Sequence, residues 1–248
     1  MAHRRATGHV FDYGRVVSVR PSKPGSVDLL VVAAYGPELY GMRRHLGDEL
    51  FGSVSGVAVT CKTVGIGLPN AASGTTARLL QLQPRAVVLI GTCGFYPEIS
   101  GAPAIGEAVV ARKLRLVEAI ELEDRGAMPD PMARALEANA MISLGLGSGR
   151  APSHDVANTL SITTDDALAR VLGQGSGCSV ENLEAFAVAN ACALQQVPFA
   201  CVLGVSNQVG SMGREEWRAN HKPAALAACE IVNRWLTTGA MGLRHRPA

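Results

Sequence analysis

Pro84-Arg-Ala-Val-Val-Leu-Ile-Gly-Thr-Cys-Gly94 is the stretch that decides the fold. Residues 86–91 are apolar without alternation, which a strand tolerates only when both of its faces are covered. Upstream, Ala71-Ala-Ser-Gly-Thr-Thr-Ala-Arg-Leu-Leu80 reads as a helix, entered from the turn Gly65-Ile-Gly-Leu-Pro-Asn70. Val54–Val64 alternates weakly and reads as strand or hairpin. Val27–Ala34 is a second continuous apolar strand, broken at Tyr35-Gly-Pro-Glu38 and followed by a helix through Leu39, Met42 and Leu46. Strand, glycine-rich turn, helix and strand in this order predict a three-layer α/β/α domain.

Downstream, 104–112 reads as a strand, 121–153 as loop-rich, 156–164 as a strand and 165–172 as a short helix led by Asp165 and Asp166. Gly173–Gly177 reads as a flexible turn. A helix over 181–195, a buried strand over 197–205 and a last helix over 215–237 complete the alternation. One domain over 27–240 is expected, with a loose lead-in over 1–26 and a tail over 241–248.

Bulk properties narrow the function. The 248 residues are 48% hydrophobic and 18% charged, with a net charge of +2. Scattered arginines and 4% aromatics offer neither a basic stripe nor stacking platforms, so nucleic acid is not an expected partner. No apolar run reaches membrane-spanning length, and Met1-Ala-His-Arg-Arg5 has no apolar segment behind it. Six cysteines without CxxC spacing predict reduced core thiols, a cytoplasmic setting and no metal site. Histidines 45, 154 and 221 lack ligand spacing.

The chemistry-bearing residues collect at strand ends. Within Ser179-Val-Glu-Asn-Leu-Glu-Ala-Phe-Ala-Val-Ala-Asn-Ala-Cys192, Glu181 suits a helix start capped by Ser179. Glu184 stands among Leu183, Ala185, Phe186 and Val188, where an unpartnered carboxylate is costly, so it reads as ligand-facing. Thr92 and the amides around Gly94 lie where open α/β sheets place ligands and suit an anion or a sugar hydroxyl. Ser206-Asn207-Gln208 ends another buried strand. Glu38 has two readings, a first-turn glutamate after Pro37 or a ligand-facing acid. The Gly65–Asn70 turn fits neither a dinucleotide fingerprint nor a P-loop. Trp217 reads as packing for the last helix.

Four segments in order across 27–236 resemble the purine nucleoside phosphorylase / methylthioadenosine nucleosidase superfamily. These are Ala33-Ala-Tyr-Gly-Pro-Glu38, then Gly65–Ala72 with Gly91-Thr-Cys-Gly94, then Val180-Glu-Asn-Leu-Glu-Ala185, and Val205-Ser-Asn-Gln-Val-Gly210. Glu181-Asn182, Ser206-Asn207, Arg214 and Trp217 look most like its futalosine hydrolase-like branch. Leu183 departs from the usual Met, and 162–168 lacks the aromatic that often stacks on the base.

The resemblance implies a central mixed, mostly parallel sheet and cleavage of the N-glycosidic bond of a purine nucleoside. By resemblance, Glu184 holds ribose hydroxyls, Leu183 packs on the sugar, and Thr92, Gly94 and Ser206 line the substrate site. Glu38 acts as general base on the attacking water, and Asn207, where adenine-specific relatives carry Asp, suits a 6-oxopurine. An acid in the Gly36-Pro37-Glu38 loop, where phosphorylases carry an arginine, favours hydrolysis. Phosphorolysis, with inorganic phosphate as co-substrate, is the alternative, and a non-catalytic nucleoside-binding protein is the second. No other cofactor is expected, and a homo-oligomer is.

Overall fold

Residues 27–148 and 151–243 are described by the computed structural model; the lead-in over 1–26 and residues 244–248 of the tail lie outside the described residues. The chain begins with β1 (Leu29–Ala33), a 3₁₀ helix (Gly36–Met42), α1 (Arg43–Leu46), β2 (Phe51–Val54), β3 (Val57–Thr63) and α2 (Leu68–Leu82). It continues with β4 (Ala86–Phe95), β5 (Ala108–Leu116), α3 (Ala119–Leu122), β6 (Ala135–Glu137), α4 (Ala140–Gly147) and β7 (Ser153–Asn158). Last come α5 (Asp166–Ser176), β8 (Val180–Asn182), α6 (Ala185–Leu194), β9 (Phe199–Gln208) and α7 (Gly213–Thr237).

The unbroken apolar runs have a direct cause. Alternate residues of β1 enter opposite cores: Leu29, Val31 and Ala33 meet Ala228 and Val232 of α7, while Leu30 and Val32 join Ala71 and Leu79 of α2 and Val188 of α6. Strand β4 divides the same way, with Val88 and Ile90 on one side and Val87 and Leu89 on the other. Burial of both faces removes any polar position, as the three-layer reading requires.

The sheet runs β2-β3-β1-β4-β8-β7-β5-β6, and β9 pairs with both β4 and β5. Parallel pairing joins β1 to β3 and β4, β4 to β9, and β7 to β5 and β8. The sheet is thus mixed and mostly parallel, as expected. Strands β4, β8, β7, β5 and β9 also close a ring, because β9 bridges β4 and β5. Helix α7 rests directly on β9: a Cβ at Gly204 would collide with the Ala224 carbonyl, so only glycine lets the two backbones meet.

Several element boundaries differ from expectation. Strand β4 does not stop with the apolar run at Gly91 but continues through Gly94 to Phe95, shifting register only between Cys93 and Gly94. Residues 104–112 give way to β5 at 108–116, after a positive-φ turn at Gly106. The loop-rich span 121–153 contains β6 and α4, and the strand read over 156–164 occupies 153–158. Helix α5 continues through Gly173 and Gly175, ending only at the left-handed Gly177. Asp165 caps it through the Leu168 N–H, as a helix-start residue should. Beyond the last helix, Leu243 is buried and the Trp235 indole donates to the Met241 carbonyl, so residues 241–243 pack on the core.

The largest revision concerns residues 179–184. Val180–Asn182 form strand β8, Leu183 and Glu184 bend away from it, and the helix starts at Ala185. Neither Ser179 nor Glu181 serves that helix. Asn182 does, its Oδ1 accepting the N–H groups of Glu184 (2.9 Å) and Ala185 (2.8 Å).

Candidate active site

The carboxyl ends of β1, β4 and β9, strand β8 and the start of α7 enclose a cleft of about 370 Å³. It is lined by Glu38, Thr92, Gly94, Leu183, Glu184, Ser206 and Asn207, and every residue singled out in the sequence as catalytic or substrate-binding is therefore at one place. Glu181, Thr163, Trp217, Arg214 and Arg218 also line it.

Glu38 is placed by its own backbone. The turn at Gly36-Pro37 folds the 3₁₀ helix back over β1, so the carboxylate accepts the N–H of Ala34 (3.1 Å) and, more weakly, of Tyr35 (3.4 Å). The two sequence readings are thus compatible, because the helix-start geometry delivers the acid to the cleft. Its other oxygen faces β4, 3.5 Å from where a Cβ at Gly91 would sit. Burial, and next the charge of Glu184, push the Glu38 carboxyl up to about 8 against the pull of neighbouring amides.

Glu184 is held from two sides. Its Oε1 accepts the Gly67 N–H at 2.9 Å, from the turn ahead of α2, and its Oε2 accepts the Asn182 amide at 3.2 Å. Burial raises this carboxyl, and those donors pull it back. The same Asn182 Nδ2 lies 3.0 Å from the Thr92 carbonyl, tying β8 to β4. Neither Glu38 nor Glu184 forms an ion pair among the described residues.

At the opposite wall, Ser206 and Asn207 end β9. The Ser206 hydroxyl lies 2.7 Å from Asn207 Oδ1 and 3.1 Å from the Cys93 carbonyl. Asn207 Nδ2 donates to the Gln208 carbonyl at 2.8 Å, which fixes the amide orientation, since a flipped amide would aim oxygen at oxygen. One N–H and one lone pair of Asn207 remain for a ligand. Gly94 pairs directly with Asn207, and a Cβ on it would lie 2.8 Å from Asn207 Nδ2 and 2.7 Å from Val209. Its lack of a side chain makes room for that amide.

Sequence reasoning missed four contributors. Trp217 is not merely packing, for its indole N–H donates to Thr92 Oγ1 at 3.2 Å, with Tyr35 at 6.4 Å between ring centroids and His221 stacked behind it at 4.4 Å. Asn182 and Gly67 hold Glu184. Glu181 is buried in the cleft wall, with Oε2 accepting the hydroxyls of Thr163 (2.7 Å) and Tyr96 (2.8 Å). The one available signal was the Glu-Asn-x-Glu spacing, too polar for the apolar helix it seemed to open. Arg43 and Arg44, close to Glu38 in sequence, do not line the cleft: Arg43 pairs with Asp48 at 3.3 Å and covers the Tyr40 ring. Among the described residues no group of three or more His, Cys, Asp or Glu side chains is placed to hold a metal ion. All six cysteines are free and buried, and no described helix is long and apolar enough to cross a membrane.

Comparison with known proteins gives the family and the fold. A curated futalosine hydrolase of Thermus thermophilus is 31% identical over 177 residues, spanning 66% of this chain and 75% of the relative. Among solved structures, a 5′-methylthioadenosine/S-adenosylhomocysteine nucleosidase of Colwellia psychrerythraea, in complex with adenine, superposes with a TM-score of 0.74 at 18% identity. That match covers 88% of this chain and 97% of the other. The futalosine hydrolase of Helicobacter pylori gives 0.75 at 13% identity, over 86% and 97%. Residues 25–237, which include every cleft-lining segment, match the phosphorylase superfamily, and the chain belongs to that family.

Proposed function

We propose that this protein is a nucleosidase that hydrolyses the N-glycosidic bond of a 6-oxopurine nucleoside. The carrying observation is the pair of buried carboxylates, Glu38 and Glu184, facing one cleft without an ion-pair partner among the described residues. When ionised, Glu38 only as the pH rises through about 8, such a pair repels a phosphate dianion and attracts the cationic sugar of an oxocarbenium-like transition state. Arg214 and Arg218, the basic residues of the lining, stand exposed on α7.

In this reading Glu184, pre-ordered by Gly67 and Asn182, accepts hydrogen bonds from the ribose hydroxyls, with Leu183 packed on the sugar. Glu38 takes a proton from the attacking water as general base. Thr92, fixed by Trp217, and the wall around Gly94 and Ser206 shape the substrate pocket. Trp217 supplies an aromatic surface for the base, which residues 162–168 lack. The departing purine is held by the free N–H and lone pair of Asn207, which reach N7 and the O6 side without a change of protonation.

The test is release of base from hypoxanthine, guanine and adenine nucleosides, with and without 5′ extensions of the futalosine type, followed by chromatography. Hypoxanthine or guanine release should outpace adenine, and Asn207→Asp should gain adenine activity. Preference for adenine in the wild type, or an Asn207→Asp variant with unchanged preference, overturns the 6-oxopurine assignment. Glu38→Gln separates enzyme from sensor: an enzyme keeps nucleoside binding and loses turnover, whereas a sensor never turned over.

A further inference from the structure

The chemistry proposed above gives Trp217 two tasks, fixing Thr92 and walling the nucleoside site. Both require the indole to stay in one orientation, and its own helix does little to secure that. Trp217 lies near the start of α7, and Pro223 within the helix has no N–H to offer the Ala219 carbonyl. Glu216 and Asn220 tie this stretch to β9: Glu216 accepts the Gln208 N–H at 2.7 Å, and Asn220 donates to the Ser206 carbonyl at 3.1 Å. Those bonds place the helix backbone, not the ring.

The ring is placed by His221, four residues on and therefore on the same helix face. The imidazole lies on the indole with 4.4 Å between ring centroids and 18° between planes. Its Nδ1 is 3.0 Å from the Trp217 carbonyl, and since a carbonyl only accepts, Nδ1 carries the proton. That bond sets the imidazole plane, and the plane sets the indole. From there the indole N–H reaches Thr92 Oγ1 at 3.2 Å, with Tyr35 tilted at 6.4 Å. His221 itself is not part of the cleft lining.

We propose that His221 is a positioning residue, acting through Trp217 by stacking the indole into the orientation that receives the nucleoside. The assignment rests on the nucleosidase reading above, in which Trp217 is a wall of the site. Without the imidazole, one face of the indole opens to water and further rotamers become accessible. Binding then carries the entropy of ordering the ring, a loss that a preordered site avoids. The indole meets bound substrate and transition state alike, so the effect falls on KM rather than on kcat.

Kinetics and fluorescence test this together on His221→Ala, His221→Phe, Trp217→Ala and the double variant His221→Ala with Trp217→Ala. The substrate is the nucleoside of the panel above that the wild type cleaves fastest. His221→Ala should raise its KM by about 3- to 10-fold, the range of a stacked aromatic pair, and change kcat by less than about twofold. His221→Phe keeps a ring on the indole and should restore KM. In the Trp217→Ala background the loss of His221 should change nothing further, because its partner is gone. Acrylamide quenching reads the indole directly: of the two tryptophans, Trp235 is only 2% exposed, so the quencher reports on Trp217. Quenching should increase in His221→Ala and return towards the wild-type level in His221→Phe. Unchanged quenching or unchanged KM in His221→Ala would overturn this inference alone. So would a His221→Phe variant as impaired as His221→Ala, or an equal effect of His221→Ala with and without Trp217. Cleavage of no nucleoside in the panel would overturn the nucleosidase reading and this inference together.

Discussion

Glu38 carries the sharpest residue-scale consequence. A general base acts when ionised, and with its carboxyl at about 8 the residue is mostly protonated at neutral pH. The kcat/KM profile should therefore rise through about pH 8 and level off above it. Glu38→Gln should flatten that limb and reduce kcat by about 100-fold or more. A profile that keeps its alkaline rise in the variant would assign the limb to another group. Glu184 was legible in the sequence as an acid among apolar neighbours, because a buried charge has few innocent explanations. Glu181 was misread, since Ser179 three residues before Asn182 imitates a cap and local pattern cannot see that β4 and β7 claim the segment as a strand. Trp217 was missed for a similar reason. Its partner, Thr92, lies 125 residues away.

At the scale of elements, the β8–α6 junction is where fold and chemistry meet. Asn182 caps α6 with its oxygen while its nitrogen braces Glu184 and the Thr92 carbonyl. Asn182→Ala should cost about 1–2 kcal/mol in a denaturant titration, as the loss of a cap does. It should also raise KM for the nucleoside, because Glu184 loses a donor. Asn182→Asp keeps the cap oxygen but sets a second buried negative charge against Glu184 and the Thr92 carbonyl, so it should recover neither stability nor KM. A variant that recovered both would place Asn182 outside the substrate site. The buried strands β1, β4 and β9 were legible because covered faces leave an unmistakable run. Strand β6 and helix α4 were not. β6 has three residues and α4 eight, too few for periodicity to emerge.

For the whole molecule, the cost of the site should be visible in stability. The carboxyl of Glu38 lies higher in the folded protein than in the unfolded chain, so the folded state binds this proton more tightly. The contribution to stability is full below the unfolded carboxylate range and is lost as pH rises through about 8. Glu38→Gln should therefore match the wild type near pH 4 and melt at a higher temperature at pH 9. Each tenfold difference in proton affinity between the folded and unfolded states is worth about 1.4 kcal/mol to that gap. Equal melting temperatures at pH 9 would mean that the carboxylate is relieved by solvent or by a partner. The three-layer architecture could be read from the order of elements, but the ring closed by β9 could not. It depends on one strand pairing with both β4 and β5, and no run of residues records which neighbours a strand will have.

The central claim is that water attacks a purine nucleoside between Glu38 and Glu184, and it is tested most directly by the sugar product. A hypoxanthine nucleoside that the protein accepts is incubated in phosphate-free buffer and again with inorganic phosphate, and the products are resolved by chromatography. The account predicts equal rates of base release and free sugar in both. Base release that requires phosphate and yields the sugar 1-phosphate would contradict it.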